Sequence, residues 1–157
     1  MTERSVVHAT FVINRVYDAS PARVFKAFAN SEARDRWFVK SEGWPVAEYT
    51  YDFRVGGQEY GRFSPDGKMI VLNETTYWDI VPDQRIISAY AMDIDGNRIS
   101  VSVATIELKP EGKGTRLTYT EQGAFLDGYD IPAQREAGCR DLYEKLAEEL
   151  ERQGEDA

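Results

Sequence analysis

The sequence predicts an α+β fold, in which a curved antiparallel sheet of six or seven strands wraps around one long C-terminal helix, with two short helices after the first strand. Strand-like segments joined by turn signals fill the middle of the chain, and an amphipathic segment follows them. The 157 residues fit one domain spanning 1–157, for which we expect mobile ends at 1–8 and 152–157. A sheet that covers a single helix has to curl, which leaves a space that side chains fill or that forms a pocket.

The first strand is predicted over residues 10–17, where β-branched and aromatic residues are dense. Apolar side chains fall on both of its faces, which is typical of a strand that is covered on both sides. One face carries Phe11, Ile13, Arg15 and Tyr17, and the other carries Val12 and Val16.

Two short helices are predicted after this strand. Ser20 is suited to cap the first helix, and Pro21 fits its first helical position. Asn30 offers a second cap, from which the second helix runs to about Trp37. The apolar face of the first helix carries Val24, Ala27 and Phe28.

Six more strands are predicted, joined by turns rich in glycine, proline and aspartate. Because consecutive hairpins pair neighbouring strands, these segments form an antiparallel meander. The predicted strands are Val46–Phe53, Gln58–Phe63, Met69–Val81, Arg85–Met92, Arg98–Leu108 and Thr115–Gln122.

The last helix is predicted from about Pro132 to Arg152. Glycine destabilises a helix interior, so Gly138 indicates a close approach of the helix backbone to another element. The apolar stripe consists of Gly138, Cys139, Leu142, Tyr143, Leu146, Ala147 and Leu150. The opposite, solvated face largely consists of Arg140, Glu144, Lys145, Glu148 and Glu149.

Several stretches carry a resemblance to a known family: Arg15–Ala27, Trp37, Asp52–Gly57, Tyr77–Pro82 with Arg85–Ile87, Gly114–Thr118, and the helix stripe from Gly138. In order and spacing the chain resembles the small bacterial proteins of the SRPBCC, or START-like, superfamily. Within it, the chain is similar to the group related to the C-terminal domain of the activator of the heat-shock-protein-90 ATPase. The resemblance covers nearly the whole chain and implies a helix-grip fold with an interior cavity. Cys139 departs from it, standing where relatives often carry tryptophan.

Composition limits the partners. The formal net charge is -8, and an acidic chain repels phosphate backbones and anionic lipid heads, so we expect neither nucleic acid nor a membrane as a partner. One cysteine and an N-terminus without an apolar signal segment predict a cytoplasmic protein. His8 is the only histidine and lies far from Cys139, so we expect no metal site and no cofactor.

Polar residues in the strands leave the catalytic residues unassigned. Asp52 and Arg54 share one strand face, and the pair indicates an ion pair at a strand end. The alternative is that Arg54 binds an anionic ligand group at the cavity mouth. If Arg15, Glu74 or Asp79 pointed inward, burial would shift its pKa and make it an acid–base candidate.

Aromatic residues are the better indication of function, because tyrosine and tryptophan combine apolar surface with a polar tip that suits a pocket wall. They are spread along the sheet and short helices: Trp37, Phe38, Trp44, Phe53, Tyr60, Phe63, Tyr77, Trp78, Tyr90, Tyr119 and Phe125. The predicted ligand-binding residues are Trp37, Phe53, Arg54, Tyr60, Tyr77, Tyr90, Tyr119, Cys139 and Tyr143.

Three functions stay open at this point. The first is binding of a small hydrophobic or aromatic molecule between the sheet and the C-terminal helix. The second is an enzyme similar to polyketide cyclases or hydratases, using an inward carboxylate or tyrosine. The third is a protein-interaction domain similar to the co-chaperone. The oligomeric state also stays open, with a homodimer as one alternative.

Overall fold

A computed structural model describes residues 3–40, 43 and 45–155 of the chain. The structure has seven strands: β1 (Val6–Tyr17), β2 (Val46–Tyr51), β3 (Gln58–Phe63), β4 (Val71–Val81), β5 (Arg85–Ile94), β6 (Asn97–Glu111) and β7 (Gly114–Leu126). They form one antiparallel sheet in the order β1-β7-β6-β5-β4-β3-β2. The predicted α+β fold and its meander are therefore confirmed.

Two short helices follow β1, as the caps in the sequence predict. The Ser20 hydroxyl accepts a hydrogen bond from the Arg23 backbone N–H and starts α1 (Pro21–Ala29). The Asn30 side chain accepts one from the Ala33 N–H and starts α2 (Ser31–Arg34). A π-helical segment, Asp35–Val39, continues α2. The long helix α3 (Pro132–Glu155) ends the described chain.

The sheet curves around α3, with register irregularities in three of its strand pairs. They lie between Val46 and Glu48, between Tyr77 and Asp79, and between Met92 and Asp93. Such bulges bend a strand and increase its twist. In the described part of the chain, no helix is both long enough and apolar enough to cross a membrane.

The C-terminal half of α3 packs into the main core. Leu146 and Leu150 are buried there, against β1, α1 and the π-helical segment. The Tyr17 hydroxyl donates a hydrogen bond of 2.9 Å to the Tyr143 carbonyl oxygen, and Arg23 Nη2 donates one of 2.9 Å to the Leu150 carbonyl oxygen. These bonds fix how this half of α3 sits on the first strand and first helix.

Three local expectations from the sequence are corrected. Val12 and Val16 are exposed, so β1 is covered on one face only, because the core lies on the side of Phe11, Ile13 and Tyr17. Glu149 does not lie on the solvated face of α3: its side chain is 3% exposed and binds Arg36. Gly138 makes no close approach to another element, since no heavy atom outside its own stretch of helix lies within 4 Å of where its Cβ would be.

The predicted mobile ends contain ordered secondary structure over part of their length. Residues 6–8 belong to β1 and pair with β7, with His8 opposite Ala124. Residues 152–155 continue α3. The mobility of the two ends stays a prediction.

Candidate ligand-binding cavity

A cavity of about 660 Å³, partly open to solvent, lies between the concave face of the sheet and the N-terminal half of α3. Because side chains alternate between the two faces of a strand, every second residue of the central strands points into it. On β4 these residues are Val71, Asn73, Thr75 and Tyr77, and on β5 they are Ile86, Ser88, Tyr90, Met92 and Ile94. Its volume falls within the range of roughly 300–1,000 Å³ that is typical of small-molecule sites.

The helices close the remaining sides of the cavity. Phe28 of α1 and Phe38 and Val39 of the π-helical segment contribute apolar side chains. From α3, Gly138 and Leu142 line the cavity, and Gly138 lies at an exposed position next to open space. The wall is therefore mostly apolar, with polar groups in two places.

The first polar group, which we call the Arg34 cluster, consists of Arg34, Glu59, Tyr49 and Tyr77. Arg34 and Glu59 are 7% and 4% exposed and form two hydrogen bonds, of 3.2 Å from Nε to Oε2 and 3.0 Å from Nη2 to Oε1. The Tyr77 hydroxyl donates to Glu59 Oε1 at 2.8 Å, and the Tyr49 hydroxyl donates to Oε2. The Arg34 guanidinium also lies 3.6 Å from the centroid of the Phe38 ring, a cation–π contact.

Burial and charge together set the protonation states in the Arg34 cluster. Burial opposes the charge on Arg34, but Glu59 and the neighbouring tyrosines together outweigh burial and raise the Arg34 pKa well above its usual value. Burial, with Glu59 close by, raises the pKa of Tyr49 and of Tyr77. The pKa of the adjacent Tyr51 rises to about 12, mainly through burial. The arginine is therefore charged and the tyrosines are neutral donors at pH 7.

The second polar group, which we call the Arg135 cluster, is centred on Glu121 of β7 and Arg135 of α3. Glu121 is 0% exposed and accepts hydrogen bonds from Tyr90 at 2.8 Å, Tyr119 at 2.5 Å and Ser102 at 2.9 Å. Arg135 Nη1 lies 3.2 Å from Glu121 Oε2.

Arg135 also reaches beyond Glu121. Its Nη2 donates to Ser100 at 2.7 Å and to the Asp130 carboxylate at 2.8 Å, and its Nη1 donates to the Tyr90 hydroxyl oxygen at 2.9 Å. Since Arg135 is on α3 and its partners are on β5, β6 and β7 and in the turn before α3, this side chain connects the helix to three strands. Both terminal nitrogens of this buried arginine therefore donate to two acceptors each within the protein.

The titratable groups around Glu121 are held in their protonated forms. Burial is the main cause of the raised pKa of Tyr90 and of Tyr119, with Glu121 adding to it in both cases. Burial and Glu121 also raise the pKa of the Cys139 thiol to about 12, and its Sγ lies 3.7 Å from Glu121 Oε1. Cys139 is therefore a neutral thiol at pH 7 and a poor nucleophile.

Both clusters have the same construction: an arginine from a helix binds a glutamate from a strand, and tyrosines donate to the carboxylate. Each carboxylate is thereby occupied by donors of the protein itself. Such an arrangement provides fixed polar walls, whereas a general base needs a carboxylate oxygen that can reach the proton of a substrate.

Five of the nine predicted ligand-binding residues line the cavity: Tyr77, Tyr90, Tyr119, Cys139 and Tyr143. The other four lie elsewhere. Trp37 is buried in the core and donates from Nε1 to the Ala27 carbonyl oxygen at 2.8 Å, and Phe53 packs behind Tyr77, with ring centroids 5.2 Å apart.

Arg54 and Tyr60 are the remaining two. The Arg54 side chain is 74% exposed and binds Asp52 at 2.8 Å, which is the ion pair that the sequence favours. Tyr60 points to the outer face of β3, since its neighbours Glu59 and Gly61 line the cavity. Trp44, among the aromatics of the sequence, lies outside the described residues.

The carboxylates that face inward are not those that the sequence singles out. Glu74 is about half exposed, and Asp79 binds Arg85 at the surface at 2.6 Å. Glu59 and Glu121 are buried instead. The spacing along the strands does indicate them. Glu121 lies on the same strand face as Leu117, Tyr119 and Phe125, and Glu59 lies on the same face as Gly61 and Phe63.

Within residues 3–40, 43 and 45–155, no group of three or more His, Cys, Asp or Glu side chains is placed to hold a metal ion. His8 is exposed on β1.

Comparison with known proteins identifies relatives over most of the chain. The family described as Activator of Hsp90 ATPase homolog 1-like protein matches residues 18–151. None of the curated proteins matches the chain.

Solved structures agree with the family match. A protein from Rhizobium loti is 52% identical, with 92% of this chain and 99% of that one covered and a TM-score of 0.87. A putative uncharacterized protein from Rhizobium leguminosarum is 40% identical, with 96% and 99% covered and a TM-score of 0.92. A protein from Chromobacterium violaceum is 25% identical, with 90% and 96% covered and a TM-score of 0.75.

Proposed function

The chain belongs to the Activator of Hsp90 ATPase homolog 1-like family, and from this premise we propose that it binds a small, largely apolar or aromatic molecule in the cavity between the sheet and α3. The observation that carries the proposal is the cavity itself, which combines about 660 Å³ of space with apolar walls and two oriented polar clusters. Protein interiors are normally close-packed, and apolar walls in contact with water are unfavourable. A bound guest offsets that cost.

Gly138 supports the proposal. A helix interior gains stability from almost any residue in place of glycine, yet this position has a glycine facing open space. Because Gly138 lines the cavity, a long side chain at this position can reach into it. The glycine therefore preserves volume at a place where local stability favours a side chain.

Five predicted lining residues, Tyr77, Tyr90, Tyr119, Cys139 and Tyr143, are the proposed contacts for the guest. The tyrosine rings offer aromatic surface. Glu59 holds the Tyr77 hydroxyl in place, and Glu121 holds those of Tyr90 and Tyr119. Trp37 and Phe53 act one layer behind, by supporting α1 and Tyr77.

The enzyme alternative requires an inward acid or base. Two carboxylates do point inward, but Glu59 and Glu121 each bind an arginine and at least two hydroxyl groups. This pairing favours a binding site over an acid–base site. The predictions of a cytoplasmic location and of no nucleic-acid or membrane partner stay predictions.

Uptake of N-phenyl-1-naphthylamine, a neutral dye that fluoresces in apolar surroundings, tests the proposal. We expect saturable uptake by the native protein and at least about tenfold weaker uptake by Gly138→Trp, because the indole would occupy the cavity. Ala137→Trp is the matched control: it adds the same side chain one residue away, at an exposed position outside the lining. No uptake by the native protein, or equal uptake by the two tryptophan variants, would overturn the proposal.

A further inference from the structure

The charges that line the cavity are balanced by one another, and this limits the charge of a guest. The two arginines of the lining, Arg34 and Arg135, each bind a buried glutamate, and Arg135 binds Asp130 as well. Asp141 adds a further carboxylate to the lining. An anionic guest would have to give up its hydration without gaining a cation that is not already paired, which is strongly unfavourable.

The hydrogen-bonding groups of the lining are also mostly used within the protein. The Tyr77 hydroxyl donates to Glu59 and the Tyr90 hydroxyl donates to Glu121, so the protons of both are engaged. An engaged hydroxyl can offer a guest only its oxygen, as an acceptor. On Tyr90 even that oxygen already accepts from Arg135.

Asn73 brings a buried and unpaired oxygen atom to the lining. Among the described residues, two buried side-chain polar atoms have no hydrogen-bond partner, Ser64 Oγ and Asn73 Oδ1, and of the two residues only Asn73 lines the cavity. Asn73 lies on β4 opposite Gly61 of β3 and Met92 of β5, both of which also line the cavity and carry no polar side-chain group that could pair with it.

A buried acceptor without a donor is costly and is rare in folded proteins. The amide of Asn73 can turn about its last side-chain bond, a torsion with broad energy wells, so that its oxygen meets a guest. A hydroxyl or N–H group on the guest would then satisfy this oxygen. A methyl ether or a hydrocarbon at the same place would leave it unpaired.

We infer that the guest is a neutral apolar or aromatic molecule that carries a hydrogen-bond donor, such as a phenol or an alcohol, and that Asn73 selects it by accepting that hydrogen bond. The inference rests on the proposed function and specifies it. It also replaces the alternative from the sequence, in which Arg54 binds an anionic group of the ligand, because Arg54 is exposed, paired with Asp52 and outside the lining.

Three naphthalenes that differ in one substituent test the inference by calorimetric titration at pH 7. 2-Naphthol offers a donor, 2-methoxynaphthalene has the oxygen without the proton, and 2-naphthoate is an anion. We expect naphthol to bind about fivefold more tightly than the ether, the factor that one neutral hydrogen bond typically contributes, and naphthoate to bind most weakly.

Asn73→Leu removes the amide at similar volume and should bring the ratio between naphthol and the ether close to one. Met92→Leu, at the paired position on β5, should leave the ratio unchanged. If Asn73→Leu does not fold, the same ratio in Asn73→Ala replaces it. Equal binding of naphthol and the ether by the native protein, or tightest binding of naphthoate, would overturn the inference.

Two further outcomes separate the parts of the argument. A preference for naphthol that survives in Asn73→Leu would overturn the assignment to Asn73. Absence of N-phenyl-1-naphthylamine uptake would overturn the proposed function itself, whereas uptake of that dye without any preference for naphthol would overturn this inference alone.

Discussion

The two halves of α3 meet the same sheet in different ways. In the C-terminal half, from Tyr143 onward, Leu146 and Leu150 are buried and α1 and the π-helical segment fill the space around them. In the N-terminal half, up to Leu142, Gly138 faces open space and Leu142 is half-buried beside the cavity. The apolar stripe of α3 therefore packs into the core at its C-terminal end and borders the cavity at its N-terminal end. We call these two parts of α3 the packed half and the hollow half.

The difference shows what holds a helix over a cavity. The packed half is fixed by apolar contacts, by the Tyr17 bond to the Tyr143 carbonyl and by the Arg36–Glu149 pair. The hollow half is fixed mainly through Arg135, which binds Glu121, Ser100 and Asp130. Directional polar bonds can hold the helix at a distance from the sheet, whereas apolar contacts stabilise only by closing the gap.

The largest expected effect comes from high pH, which tests whether the tyrosines of the cavity wall are shielded from water. Tyr143 of the packed half, and Tyr90 and Tyr119 of the strands that face the hollow half, all have a pKa raised by burial. Above about pH 10, the usual tyrosine pKa, the unfolded chain therefore loses protons that the native protein retains, and the free energy of unfolding falls as pH rises. Each such tyrosine removes up to about 1.4 kcal/mol per pH unit.

We expect tyrosinate absorbance and loss of circular dichroism to rise together between about pH 10 and 12. The Tyr90→Phe variant should lose one ionising group from the same cooperative transition. If Tyr90 and Tyr119 ionised near pH 10 while the fold persisted, their hydroxyl groups would be accessible to water. The two halves of α3 would then differ in how well water reaches the side chains that face them.

The next effect concerns the polar tie of the hollow half. Arg135→Met should lower the free energy of unfolding by about 3–5 kcal/mol, because it leaves Glu121 buried without its cation. Urea denaturation measures this change. Adding Glu121→Gln should restore a large part of it. Arg140→Met, which breaks an exposed pair with Glu136 on the same half of α3, is the control and should cost no more than about 0.5 kcal/mol.

Equal costs for Arg135→Met and Arg140→Met would show that Arg135 does not hold the helix. Apolar contacts alone would then support the hollow half, contrary to the comparison.

The elements of the fold were predictable because they depend on local patterns. Ser20 and Asn30 start helices at the predicted places, and Gln58–Phe63 is a strand with the predicted bounds. In β7, Glu121 follows Tyr119 at a spacing of two residues, which predicts that both side chains lie on the same face. The structure shows that this face is buried at Tyr119 and at Glu121.

The polar clusters were not predictable in the same way, since each joins residues that are distant in sequence. Arg34 meets Glu59 across 25 positions, and Arg135 meets Glu121 only once α3 has folded over the sheet. A charged residue in a strand is usually solvated. Its burial becomes possible only when the fold places an oppositely charged partner beside it, which offsets the cost of removing the charge from water. Gly138 was misinterpreted for a related reason: the sequence marks a special position but not whether backbone or empty space lies opposite.

A smaller effect compares leucines from the two halves directly. Leu146→Ala should cost about 3 kcal/mol, within the range of 2–5 for a fully buried leucine, because the tightly packed core cannot close around the missing atoms. Leu142→Ala should cost less than about 1.5 kcal/mol, since its side chain already borders open space. Urea denaturation of the two variants checks both values. Similar costs would mean that the hollow half is packed as tightly as the other.

The smallest effect is expected at Gly138. Gly138→Ala should raise the free energy of unfolding by about 0.5–1 kcal/mol, because alanine favours the helix and its methyl group meets no atom of another element within 4 Å. Gly114→Ala is the contrasting control: its Cβ would lie 2.2 Å from the Tyr17 carbonyl oxygen, so the same change should destabilise the protein. The urea midpoint should move in opposite directions for the two variants. A loss of stability in Gly138→Ala would show that the added methyl group clashes with other atoms. The space beside Gly138 would then be filled, and α3 would be packed along its whole length.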